Sequence, residues 1–184
     1  MGRLYVMIYT LPLHMIVILA AEFLALWGLV SRWYAGAEGR ARRRWKLLCG
    51  GLFLVWLAVI LHMTVLSRTG GELVVQREVF HQLKMYFAGG DKECLRVLWM
   101  NLFLFIPGGL LLETVWPERV PRLLCAVLTL ALLTALSVGI EAVQFRYALG
   151  HVEADDVLCN ALGALCGLAV QELCLHRAQR AQTD

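Results

Sequence analysis

Charge is scarce in this chain. Only 17% of its 184 residues are Asp, Glu, Lys or Arg, 60% are hydrophobic, and the mean hydropathy is +0.67. That balance excludes a water-soluble domain of this length. Lysine and arginine are missing from five stretches, residues 6–30, 47–66, 97–116, 123–145 and 157–175. Each is long enough to cross roughly 30 Å of hydrocarbon at about 1.5 Å per residue. The expected fold class is all-α: a polytopic transmembrane helix bundle of about five spans, forming a single integral membrane domain over residues 1–184.

Other absences narrow the function. The six cysteines (49, 94, 125, 159, 166 and 174) form no CxxC pair, and all but Cys94 lie in apolar stretches, where a thiol acts as a small hydrophobe. Neither a disulfide framework nor a zinc site is expected. Basic residues flank the spans instead of lining a soluble face, which excludes a nucleic-acid partner. The first stretch exceeds a signal-peptide core, has only Arg3 ahead of it and precedes Arg40, Arg42, Arg43, Arg44 and Lys46; it reads as a retained anchor.

Loop by loop, the alternate segments 32–46, 116–122 and the C-terminal tail carry ten Lys and Arg against seven on the other side. This places the N-terminus outside and the C-terminus in the cytoplasm. Polar residues of three spans then reach one depth. Asn101 and Glu141 fall about 6 Å, and Asn160 about 4.5 Å, below the outer ends of their helices. Ser137, Glu141 and Gln144 share one helix face, as do Asp156, Asn160, Gly163 and Gly167. The product is an outward-facing polar pocket bordered by Asp155 and Asp156, with Arg68 at the same level. Carboxylates here cost about 2.5–3.5 kcal/mol at a helix centre on insertion scales, so they require a partner or a wet cavity. Asp155 also has the simpler use of capping the helix it opens.

In NLFLFIPGGLLLE, Pro107 removes an intrahelical hydrogen bond and Gly108 and Gly109 loosen the next turn, which predicts a kink or break, either for packing or to floor the pocket. Gly163 and Gly167 form a GxxxG-like pair for close helix approach. Val79, Phe80, Leu83 and Phe87 predict a short amphipathic helix in the outer loop, lying on the outer leaflet or closing the pocket as a lid. His62 reads as a helix-packing residue. Glu113 and Glu172 reach the inner interface, while Glu22 and His14 need partners the sequence does not name.

NLFLFIPGG, SVGIEAVQF and EADDVLCNALGALCG, taken in order, resemble the three blocks of the VanZ-like membrane proteins. The blocks cover about residues 95–170, within a VanZ-like region of about 60–175 that takes in Arg68. The resemblance implies a bacterial plasma-membrane protein of the cell envelope associated with glycopeptide tolerance, chiefly to teicoplanin. It carries the family's polar positions onto Asn101, Pro107, Glu141, Gln144, Asp155, Asp156 and Asn160. The arginine usual shortly before the acidic pair is replaced here by Gly150 and His151, with Arg146 as the nearest substitute. The proline and phenylalanine that many members carry before the third span are absent.

Three functions remain open at the sequence level. The first is a binding module for membrane lipid, a lipid-linked wall precursor or a lipoglycopeptide, without a cofactor. The second is an enzyme acting on a lipid head group, with Glu141 as catalytic acid/base and a divalent cation on Glu141, Asp155 and Asp156; no serine, cysteine or histidine stands clearly beside a base as nucleophile. The third is a lipid carrier, for which no inverted repeat is visible.

Overall fold

The computed structural model describes residues 23, 27, 28, 39–89 and 92–183. Among the described residues from 39 onward, five helices and one pair of short strands follow in order: α1 (Gly39–Leu61), extended by a π turn (His62–Leu66), β1 (Val74–Gln76), α2 (His81–Gly89), α3 (Lys92–Val115), α4 (Arg122–Arg146), β2 (His151–Glu153) and α5 (Ala154–Thr183). Four segments, Gly39–Leu66, Glu93–Val115, Arg122–Arg146 and Ala154–His176, are long and apolar enough to cross a membrane, as the sequence predicts for the second to fifth spans. The predicted first span, with Glu22 and His14, lies almost wholly outside the described residues. Its described Trp27 is buried, donates its indole N–H to Gln171 Oε1 at 2.8 Å and packs its ring 5.7 Å from that of Trp45.

The helices begin and end where the local chemistry allows. Pro121, which has no N–H to leave unpaired, precedes α4, and its carbonyl accepts from Cys125 N at 3.0 Å. Two hydroxyls in the spans bond back to their own helix, Thr64 to Ile60 O at 2.8 Å and Thr114 to Leu110 O at 2.9 Å, because hydrocarbon offers them no water.

The principal packing is between α3 and α5, and glycine makes it possible. A Cβ at Gly163 would lie 2.0 Å from Leu102 O, one at Gly167 2.2 Å from Ile106 O, and one at Gly109 2.2 Å from Ala164 O. The two backbones therefore touch, as small residues allow between helices in a bilayer. Of the kink or break expected at Pro107, the break does not occur: α3 is continuous through it. Beside that proline, the Trp56 ring lies over Gly108, where a Cβ would meet it at 2.6 Å, and its indole N–H donates to Leu104 O at 2.9 Å. The core continues through Ile60, Phe105, Leu133, Ile140 and Ala164 on one side and Trp27, Cys49, Ile106, Leu110 and Leu111 on the other. His62 is exposed, a correction to its expected place in helix packing: the π turn directs it outward.

β1 and β2 pair in parallel, Val74 with His151, Val75 with Val152 and Gln76 with Glu153. Gly71 N adds a bond to Ala148 O at 2.9 Å, and Val74 N one to Gly150 O at 3.3 Å. Ala148 and Gly150 take positive φ, 50° and 102°, to turn the chain out of α4 and into β2. The long loop before α3 is thereby fastened to the entry of α5.

Candidate functional site

Three antiparallel reversals bring the end of α1, the start of α3, the end of α4 and the start of α5 to one end of the bundle. There, side chains of α3, α4 and α5 and a backbone carbonyl of the π turn form a set of polar contacts. Asn101 of α3 donates through Nδ2 to Asp156 Oδ1 of α5. Asn160, one turn deeper, donates to Ser137 Oγ of α4 at 2.8 Å. Gln144 donates to Thr64 O at 3.0 Å, joining α4 to the π turn. Glu141 accepts the backbone N–H of Glu153 through Oε2 at 3.1 Å.

Most of these groups are shielded. Ser137, Gln144 and Asp155 are 0%, 1% and 2% exposed, and Glu141 and Asn160 are also buried. Asn101 and Asp156 are half-buried. Three polar atoms, Arg68 Nε, Gln144 Oε1 and Asn160 Oδ1, are enclosed and have no hydrogen-bond partner among the described residues. Arg68 lies close enough to Glu141 and Asp156 for its charge to act on both, and its Nη1 reaches Leu149 O at 3.5 Å. Of the nine pocket residues expected from sequence, Asn101 thus meets Asp156 and Ser137 meets Asn160, Arg68 lies near Glu141 and Asp156, Gln144 bonds the π turn, and Asp155 bonds the start of α2.

The ninth, Arg146, does not join them. Its guanidinium is exposed and lies 5.7 Å from the centre of the Tyr147 ring, because the last turn of α4 carries it away from the face that holds Glu141 and Gln144.

Asp155 caps a helix, but not the expected one. Its two oxygens accept Phe80 N at 2.5 Å and Gln82 N at 2.9 Å, so it satisfies the free N–H groups at the start of α2. Phe80, held at φ 64° just before that helix, makes the turn that presents both donors. With Asp155 turned to α2 and Asp156 to Asn101, the acidic pair does not converge on one point. No group of three or more His, Cys, Asp or Glu is placed to hold a metal among the described residues.

α2 is the helix expected in the outer loop, but it starts at His81, after Val79 and Phe80. Leu83 is half-buried, while Val79, Phe80 and Phe87 stay exposed. Its start is pinned to α5, and outside the spans the hydrogen bond from Lys84 holds the Glu78 carboxyl below its ordinary range.

Two further members of the network stand outside the nine pocket residues expected from sequence. Glu153 accepts Gln82 Nε2 at 2.6 Å while its own N–H binds Glu141. Its signal was present in the run HVEADD. Gln82, one of several polar residues in the long loop, gave none.

A family model described as VanZ/LLP1 matches residues 50–175. Protein VanZ from Enterococcus faecium is similar at 28% identity over 134 residues, 70% of this chain and 76% of that protein. No solved structure matches significantly.

Proposed function

Because the chain belongs to the VanZ/LLP1 family, we propose that it is an envelope membrane protein that contributes to glycopeptide tolerance, chiefly to teicoplanin. In this reading it binds an amphiphile (membrane lipid, lipid-linked wall precursor or the lipoglycopeptide itself) at the polar network and so reduces access of the drug to its target. The excess of Lys and Arg at the opposite end supports placing the network outside.

The observation that carries the reading is the set of enclosed polar atoms left without partners among the described residues, Arg68 Nε, Gln144 Oε1 and Asn160 Oδ1. They lie beside two buried or half-buried carboxylates, Glu141 and Asp156. A network meant only to hold helices together would satisfy its members, since each unpaired buried group costs about 1–3 kcal/mol. One donor and two acceptors offer the mixed hydrogen bonding that sugar hydroxyls and amides require.

Teicoplanin and vancomycin susceptibility, measured in cells making wild type, Glu141→Gln and Asp156→Asn at matched membrane levels, tests this. Tolerance to teicoplanin is expected in wild type and lost in both variants. Unchanged tolerance would return the carboxylates to a structural role.

A further inference from the structure

The opposite end of the bundle holds a second polar site, with no residue in common with the network. A cavity of about 250 Å³ opens between the start of α1, the end of α3, the start of α4 and the later part of α5. A second of about 460 Å³ adjoins it, shares Arg42, Lys46 and Glu118, and adds Gly39 and Arg43.

Charge is divided between the two. The inner chamber has Glu113, only 8% exposed, and Glu172. Glu113 accepts one hydrogen bond, from Thr129 Oγ1 at 3.2 Å. Glu172 Oε1 is enclosed without a hydrogen-bond partner among the described residues, and its Oε2 lies 3.8 Å from Arg122 Nη1, beyond hydrogen-bond length. Among the described residues that line this chamber alone, two carboxylates therefore face a single guanidinium, while Arg42, Lys46 and Glu118 stand where the two cavities join. In the outer vestibule the balance reverses: Arg42, Arg43 and Lys46 face Glu118 alone, which takes Arg42 at 2.9 Å and Lys46 at 3.4 Å.

A ligand matched to this gradient is a dipole with its cation inward and its anion outward. We propose that the site binds the head group of an aminophospholipid in the leaflet at this end. The primary ammonium would sit between Glu113 and Glu172, and the phosphodiester at Arg42, Arg43 and Lys46. A primary ammonium has three N–H donors, enough for Glu172 Oε1 and the unshared oxygen of Glu113. Phosphate is the group that paired guanidinium and ammonium donors hold best. Trp45, Trp116 and Leu175, also in the wall, supply the aromatic and apolar border that lies beneath a head group at a membrane interface. A quaternary ammonium has no N–H for Glu172, and a glycerol head group has no cation, so phosphatidylcholine and phosphatidylglycerol fit less well.

Native mass spectrometry of the purified full-length protein, with equimolar phosphatidylethanolamine, phosphatidylcholine and phosphatidylglycerol, reads the preference directly. Wild type is expected to retain phosphatidylethanolamine about tenfold over the other two, the scale of one charge-assisted hydrogen bond. Glu172→Gln should remove that preference. Arg43→Gln, a change at an exposed residue that leaves the packing alone, should weaken retention of phosphatidylethanolamine and phosphatidylglycerol together. Equal retention of all three lipids by wild type, or a preference that survives Glu172→Gln, would overturn the proposal. Soluble O-phosphoethanolamine binding as tightly as the lipid would overturn the lipid assignment in favour of a free phosphorylated amine.

Discussion

Replacing Gly163 with alanine adds one methyl group to the tightest contact in the bundle. The new Cβ would lie 2.0 Å from Leu102 O and 2.9 Å from Leu102 C, and the nearest obstacle is main chain, which no rotamer change can move. Restoring a contact of about 3 Å requires α5 and α3 to part by roughly 1 Å. A gap of that size forfeits a quarter to a half of each dispersion contact along the seam. Overpacking of this kind costs about 1–3 kcal/mol. Alanine is better than glycine in a helix by about 0.5–1 kcal/mol, which offsets part of it. A net loss of about 1–2 kcal/mol follows, a five- to thirtyfold shift toward the unfolded state. Gly139 is the matched control, because nothing lies within 4 Å of a Cβ built there, and Gly139→Ala should show only the helix gain. Thermal unfolding of both purified variants in the same detergent measures the difference. If Gly163→Ala is as stable as Gly139→Ala, the α3–α5 seam is not held by backbone contact and the reasoning fails.

Two further outcomes follow from the same geometry. Asp155→Ala strips the acceptors from Phe80 N and Gln82 N, at about 0.5–2 kcal/mol for a lost cap; hydrogen exchange should quicken at those two amides, and unchanged exchange would mean that α2 does not depend on Asp155. Gly108→Ala should destabilise wild type by about 1–3 kcal/mol but much less on a Trp56→Leu background, since Trp56 is the side chain it strikes; strictly additive effects in the double-mutant cycle would refute that collision.

The four membrane-crossing helices were legible because residue order alone carries them: long apolar runs bounded by charge need no knowledge of the rest of the chain. So were the polar faces of α4 and α5, where Ser137, Glu141 and Gln144, then Asp156 and Asn160, recur at helical spacing. What the sequence hid was pairing across long separations. Three-residue strands such as Val74–Gln76 are too short to show a period. Asp155 could satisfy any free helix start, and the bonds to Phe80 N and Gln82 N are made by the fold. Arg146 was placed by nearness along the chain, whereas the last turn of α4 sends it outward. Pro107 signalled a kink or a break, and the helix assigned there is unbroken.

The fastening of the long loop to the entry of α5 also sets an order of events during synthesis. Asp155 is separated from Phe80 by 75 residues and from Gln82 by 73. At roughly 5–20 residues per second, the ribosome needs about 4–15 s to supply the acceptor after the donors have been made. During that interval α2 has no cap from this source and β1 has no β2 beside it. The end of the molecule that carries the polar network therefore closes only when the last membrane helix arrives, and a chain halted before Asp155 would present unpaired backbone there to whatever surveys nascent membrane proteins.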